Sequence, residues 1–404
     1  MSGSSPFVSS NSATVSRMTA RSIDEAERIA HELAKTAAQR DVLGGTPKAE
    51  RDLLRASGLL SLIIPTELGG LGADWAETLE VVRRIARVDA SVAHVFGFQH
   101  LLLATLRLFG SEAQWRPLYA ETARQRWFWG NALNPLDTRT TVTWRGETGT
   151  LNGAKSFCSG ALDSDMLIVS AIDPETKKLI VGAIPSDRKG LTRHADWDNM
   201  GQRQTDSGSV TLDHVELSRS ELLATPGPLG STFASLRPCI AQLVLSNVYL
   251  GIAQGAFDEA RAYTTHESRA WFASGVERAV DDPYVLRTYG ELYVSLQAAR
   301  ALTDEAARAL DIAWAAGDAL TGEGRARAAI AIATAKVQTT RASLDITSRA
   351  FEVMGARATT AKARIDRFWR NARTHTLHDP VDYKLRDLGA YALAGREPTP
   401  SFYS

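Results

Sequence analysis

Helical, then β, then helical: that order along the chain predicts an α+β molecule with an N-terminal helical domain, a central antiparallel β-barrel or sandwich, and a C-terminal four-helix bundle. Three observations predict it. Apolar residues recur at three- and four-residue spacing in the first and last parts of the chain. The middle breaks instead into short runs rich in Val, Ile and Thr, bounded by Gly, Asp and Pro. With 404 residues, 44% hydrophobic and 23% charged, the chain is long enough for two or three domains with ample core.

The segment 1–20 is polar and lacks a charged stretch followed by an apolar one, so it reads as a disordered tail and not as a signal peptide. In the helical zone 21–126, Ile23, Ala26, Ile29, Ala30, Leu33, Ala34 and Ala37 share one face, as do Leu79, Val82, Ile85 and Ala86. Between them the run Ser57–Trp75 ends its apolar stretch at Pro65 and then carries Gly69, Gly70 and Gly72, which marks a loop either flexible or closely packed against another backbone. In the zone 127–228, strands are expected at Thr140–Arg145, Met166–Ile172, Leu179–Ile184 and Ser209–Val215. Helical periodicity returns over 229–404, with breaks near Ser274-Gly275, Asp282-Pro283 and Thr321-Gly322, so four long helices are the simplest account.

Bulk properties exclude several classes. The 46 basic residues balance 46 acidic ones, which gives no electrostatic reason to expect nucleic acid or an anionic membrane as a partner. Two cysteines, Cys158 and Cys239, do not make a disulfide framework and suit a reducing cytoplasm. No apolar run is read as approaching the roughly 20 residues that a bilayer requires. The absence of a Gly-x-Gly-x-x-Gly fingerprint argues against a built-in nicotinamide domain.

The run Phe368–Pro380 holds His375 and His378 beside arginines and aromatics. On a helix, positions three apart share a face, so both imidazoles could enter one pocket and serve acid/base or hydrogen-bonding chemistry near a bound aromatic group. The bland alternative is a histidine pair complementing a helix end. Metal ligation by His375, His378 and Asp379 needs ligands that converge, which adjacent helical positions do poorly, so no metal is expected. Ser159 taken alone is ordinary turn chemistry beside Gly160.

Five motifs in order, Ala93–Phe98, Trp129-Gly-Asn131, Asn152–Ala161, Gly201–Ser209 and the histidine run, carry a resemblance to the acyl-CoA dehydrogenase fold family over nearly the whole chain. Within that family the chain is similar to the flavin-dependent monooxygenase branch, which includes dibenzothiophene monooxygenases and related indole hydroxylases. The resemblance implies a two-component enzyme that takes reduced flavin (FMNH2 or FADH2) from a separate NAD(P)H:flavin reductase and reacts it with O2. A C4a-hydroperoxyflavin sheltered from water would then oxygenate an aromatic heterocycle, by hydroxylating an indole or sulfoxidising dibenzothiophene. It further implies His94, Ser159 and His378 as catalytic groups, and Asn131, Ser159, Trp197, Arg269 and Arg370 at the cofactor, Arg269 reaching the flavin phosphate from a neighbouring subunit of a homotetramer. Phe98, Trp129 and His375 would line the substrate pocket. Phe98 departs from the tyrosine usual in the sulfur-oxidising relatives, which removes one polar contact to substrate. The competing reading is an acyl-CoA dehydrogenase with Asp379 as its base; there the side chain is one methylene short of the family's glutamate, and Pro380 replaces the neighbouring glycine.

Overall fold

The structure, a computed structural model, describes residues 8–404, with side chains from Ala20 onward. The first helix, α1, spans Val8–Ala34. It therefore begins inside the stretch expected to be a disordered tail, while residues 1–7 of that stretch lie outside the described residues. Helices α2 (Ala37–Leu43), α3 (Lys48–Ser57), α4 (Trp75–Ala86), α5 (Ala90–Phe109) and α6 (Glu112–Gln125) complete the N-terminal part. The loop between α3 and α4 is closely packed: a Cβ on Gly70 would lie 2.1 Å from the Ile64 carbonyl oxygen, and Ile64 is fully buried.

Apolar on nearly every face, α5 is the core helix of this part, and Asp89 caps it by accepting a hydrogen bond from the Val92 amide at 3.0 Å. By length and hydropathy, α5 and the segment 234–266 are each long and apolar enough to cross a membrane, contrary to the expectation from apolar runs. Their windows are 94% and 89% buried inside the protein, which identifies them as core helices.

Strands β1 (Trp129–Ala132), β2 (Thr141–Arg145), β3 (Thr148–Lys155), β4 (Met166–Ile172), β5 (Leu179–Pro185), β6 (Leu191–Arg193) and β7 (Val210–Ser218) form one sheet in the order β1-β4-β2-β3-β7-β6, with β5 on the other edge of β4. The sheet is mixed, where an antiparallel one was expected. β1 pairs with β4 in parallel, Trp129 opposite Met166 through Ala132 opposite Val169, and β2 joins the same edge of β4 at Thr141 and Ile172. Strand composition and turn residues do not encode which strand becomes whose neighbour, so β1, arriving from α6, had no signature of its parallel pairing. Two strands sharing one edge of β4 curl the sheet around its own core of Val142, Leu151, Leu167, Val169, Val215 and Leu217.

The C-terminal part holds three long helices, α7 (Arg237–His266), α8 (Pro283–Ala316) and α9 (Gly322–Met354), followed by two short ones, α10 (Asp366–His375) and α11 (Val381–Ala394). The fourth long helix expected is thus divided. Pro380 stands at the N-cap of α11, where its missing amide costs nothing, and it forbids a continuous helix through the histidine run.

Candidate active site

Between α5, the β domain and the C-terminal helices lies a cavity of about 540 Å³. α5 presents His94 and Phe98 to it from one face, the two rings 4.1 Å apart. His94 Nε2 is 2.9 Å from the hydroxyl of Ser159, which follows β3. Ser159 Oγ is 2.8 Å from Ser207 Oγ, and Ser207 Oγ is 2.8 Å from Thr205 Oγ1. The far end of this chain fixes its direction, because Thr205 donates to the Gln202 carbonyl at 3.1 Å and a carbonyl can only accept. Followed back, Ser207 donates to Thr205, Ser159 donates to Ser207, and His94 Nε2–H donates to Ser159. That assigns the Nε2–H tautomer to His94 and leaves its Nδ1 lone pair without a protein partner.

His375, the last residue of α10, sets its ring 4.7 Å from that of His94. Gln202 Nε2 lies 3.4 Å from His375 Nδ1, so Nδ1 accepts and Nε2–H faces no protein partner. Burial pushes the His94 imidazolium pKa down to about 3, with the charge of His378 adding to it. Burial likewise drives His375 well below the ordinary value, helped by His94, His378 and Lys336. Both rings are neutral at physiological pH. The buried Gln202 Oε1, Gln242 Oε1 and Thr374 Oγ1 also lack partners and belong to cavity-lining residues. Five unsatisfied polar atoms around one apolar-walled chamber suit a flat, polar-edged group such as an isoalloxazine ring, which would satisfy donors and acceptors together.

His378 reaches the cavity differently from the expectation. It does not share a helical face with His375, because α10 ends at His375 and His378 lies in the turn that follows, its amide donating to the His375 carbonyl at 3.1 Å. Asp379 precedes Pro380 and is therefore steered away from helical geometry, which ends the helix one turn early. His378 is 38% exposed at its side chain, and its Nδ1 is 3.2 Å from Asp379 Oδ1. Asp379 is 3.4 Å from Lys336 Nζ, which donates to the Tyr249 hydroxyl at 3.1 Å; that hydroxyl donates to the His375 carbonyl at 2.8 Å. Burial alone would raise the Asp379 carboxyl, but the His378 hydrogen bond and the Lys336 charge hold it well below the usual carboxylate range. Burial brings Lys336 down to about 8 against the pull of Asp379. A carboxylate so stabilised, and not among the cavity-lining groups, is a poor base for abstracting a carbon-bound proton.

Of the other residues singled out from sequence, Asn131 lines the cavity and its amide donates to the Ser159 carbonyl at 2.9 Å. Trp197 also lines it, donating to the Gln202 carbonyl at 2.7 Å and meeting Phe157 edge-on. Three lie elsewhere. Trp129 points away into the core, its indole N–H bonded to Thr122 at 2.9 Å, so it lines no pocket. Arg370 is engaged with Asp41, Asp366 and the Met200 carbonyl, and it braces the loop before Gly201 from outside the cavity. Arg269 is exposed and borders a separate cavity on this chain.

Sequence reading missed several groups. Arg51 of α3 is fully buried, and its guanidinium donates to the Gly160 carbonyl at 3.1 Å, the Asp163 carbonyl at 2.9 Å and Asp206 at 2.9 Å, clasping both β-domain loops that carry the hydroxyl chain. Gly201 presses on α10, since a Cβ there would sit 2.1 Å from the Arg370 carbonyl. Phe157, Gln202 and Asp206 adopt left-handed backbone conformations with φ of 59°, 54° and 48°, strain that the clasp holds in place.

Three acyl-CoA dehydrogenase family models match in order: the N-terminal domain over residues 18–125, the middle domain over 130–215 and the C-terminal domain over 243–383. The chain is 58% identical over 380 residues to the probable FMNH2-dependent monooxygenase SfnC of Pseudomonas putida, covering 94% of this chain and 96% of that protein. The chain belongs to the acyl-CoA dehydrogenase family, in its flavin-dependent monooxygenase branch. This monooxygenase is also 44% identical over 394 residues to dibenzothiophene monooxygenase of Rhodococcus qingshengii, covering 94% of each. Among solved structures it is similar to methanesulfinate monooxygenase MsuC of Pseudomonas fluorescens, with 59% identity, TM-score 0.93 and coverage of 94% and 99%. The complex of TdsC from Paenibacillus sp. A11-2 with FMN and indole superposes with TM-score 0.91 at 44% identity, covering 95% and 100%. As an oxidoreductase of this branch, the monooxygenase lines its cavity with the neutral imidazoles of His94 and His375, while Asp379 lies outside that lining.

Proposed function

We propose that the chain is the oxygenase half of a two-component system, taking FMNH2 from a separate NAD(P)H:flavin reductase, consuming O2 and placing one oxygen atom on an electron-rich centre. That centre is a soft sulfur or a ring carbon, as in dibenzothiophene or indole; the similarity to MsuC adds methanesulfinate. Reduced flavin, when bound, supplies the electrons and the activation of dioxygen.

The residues supply shelter and hydrogen bonds. His94, held as the Nε2–H tautomer, and Ser159 form one pole of the chamber; Asn131, Trp197 and Gln202 border the same space and would meet the flavin. His375 offers a free Nε2–H, and His378, half in solvent beside Asp379, is placed to pass protons between the cavity and water. Phe98 and Leu101 form apolar wall that keeps water out. Arg370 acts indirectly through the loop it braces, and Arg269 meets the flavin phosphate of a neighbouring subunit in a homotetramer. The setting is the reducing cytoplasm that such a reductase requires.

The observation that carries this reading is the His94–Ser159 contact at 2.9 Å, with open imidazole nitrogens of His94 and His375 around a single cavity. The test supplies purified protein with FMN, NADH and a generic flavin reductase, and scores oxygen uptake and product for indole, dibenzothiophene and methanesulfinate. Oxygenated product dependent on the reductase is expected. Reduction of an electron-accepting dye by an acyl-CoA, without oxygen uptake, would overturn the proposal in favour of dehydrogenation.

A further inference from the structure

Arg237 opens α7 and lines the cavity, yet no acid answers it. The residue is only 8% exposed, and its Nε donates to Thr105 Oγ1 of α5 at 3.0 Å. Its terminal nitrogens have no protein partner, and among the described residues no carboxylate forms an ion pair with it. Two other buried arginines are answered by acids, Arg51 by Asp206 and Asp163 and Arg40 by Asp89 and Glu50; buried Arg325 meets only the carbonyl oxygens of Ser235 and Ser404, and unlike Arg237 it lines no part of this cavity. A guanidinium out of water without a counter-charge is costly, and burial already pulls this one down to about 10. The charge is retained at a place where a ligand can answer it. Its surroundings belong to the reacting end of the chamber: Tyr403 is its titratable neighbour, and the Tyr403 ring lies 6.3 Å from that of His378. Gln242, five residues along α7, offers an unpartnered Oε1 to the same cavity, and Phe98, Leu101 and Ala241 supply apolar surface.

We propose that Arg237 is the anion-recognition residue of this monooxygenase site and that the substrate carries a small oxyanion, with an organic sulfinate as the chemistry that fits both the guanidinium fork and the oxygenation. The inference rests on the monooxygenase reading and narrows its substrate class. The reaction balances as sulfinate plus O2 plus FMNH2 giving sulfonate, FMN and water. One oxygen atom forms the new S–O bond at the sulfur lone pair, the other leaves as water, and FMNH2 supplies the two electrons and two protons.

Arg237→Gln and Arg237→Lys test it, with methanesulfinate and indole as reductase-coupled substrates and methanesulfonate as a probe on flavin-free protein. Methanesulfonate should raise the melting temperature of the natural protein and not that of Arg237→Gln. The ratio of kcat/KM for methanesulfinate over indole should fall by about 100-fold in Arg237→Gln and recover in part with Arg237→Lys, which keeps the charge. Two results would overturn the assignment. One is an unchanged ratio with FMN bound about tenfold more weakly, which would make Arg237 the cofactor's phosphate anchor. The other is a natural protein that oxygenates indole but neither oxidises methanesulfinate nor responds to methanesulfonate. Failure to oxygenate any substrate, with the methanesulfonate response intact and lost in Arg237→Gln, would uphold the anion site and sink the monooxygenase reading alone.

Discussion

The proton on His94 is placed by a hydroxyl chain whose last acceptor, the Gln202 carbonyl, lies outside the imidazole's own contacts. Replacing His94 by Ala removes the donor at the head of that chain. Coupled product formation should fall by about 100-fold or more while hydrogen peroxide release rises, both read in one oxygen-electrode and product assay. Ser159→Ala breaks the same chain one link later, so the double variant should lose little more than His94→Ala alone; additive losses would mean that the two groups act separately. Buried neutral imidazoles also set an acid limit. Burial holds His94 and His100 at about 3 and His375 well below its ordinary value, whereas the unfolded rings take protons near 6.5. From about pH 6.5 downward the unfolded state therefore binds more protons, so stability falls with acidification, by a slope approaching about three protons per molecule. Denaturant unfolding at pH 7, 5.5 and 4 measures that slope, and a flat dependence would contradict neutral burial. Motif order, through the family resemblance, pointed to His94, Ser159, Asn131 and His375, which the fold brings to one cavity; Arg237, which lines the same cavity, carried no such signal. An arginine opening a helix rich in apolar residues looks like any solvated one until its missing counter-charge is seen in three dimensions.

Zones of helix and strand were legible because periodicity is local, whereas the contacts that position the site join elements far apart in the chain. Arg51 on α3 and Asp206 are separated by 155 positions, and nothing in either neighbourhood announces the other. Nor did composition distinguish Trp129 facing the cavity from Trp129 bonded to Thr122 behind it; a strand buried on both faces gives no alternation to read. The α3 clasp nonetheless decides whether the two loops stay in their left-handed conformations. Arg51→Leu leaves Asp206 as an uncompensated buried charge and the carbonyls of Gly160 and Asp163 without their guanidinium donor, at a cost of about 3–5 kcal/mol. Calorimetry should show the lower melting temperature. Flavin fluorescence should show weakened FMN binding as the loop bearing Gln202 loosens, although Arg51 itself lines no part of the cavity.

A single chain does not account for all of its own surface. On α8, Tyr284, Leu286, Val294 and Ile312 are between 56% and 76% exposed, and Trp271 and Phe272, close to Arg269, are 67% and 86% exposed. Large apolar side chains gathered along one helical bundle and the loop before it are what a subunit interface leaves when its partner is removed. Arg269 stands in that region, away from its own chain's cavity, which is where an arginine must stand if it serves the flavin of a neighbour. The association and the cofactor site should then fail together. If the homotetramer proposed above forms, Val294→Glu combined with Ile312→Lys should convert it into smaller species by light scattering, and should weaken FMN binding by about tenfold even though neither residue borders the cavity. Arg269→Ala should weaken FMN binding to the same extent while leaving the tetramer intact. A dissociated double variant that still binds FMN with full affinity would place every phosphate contact within one chain, and the role given to Arg269 would fall.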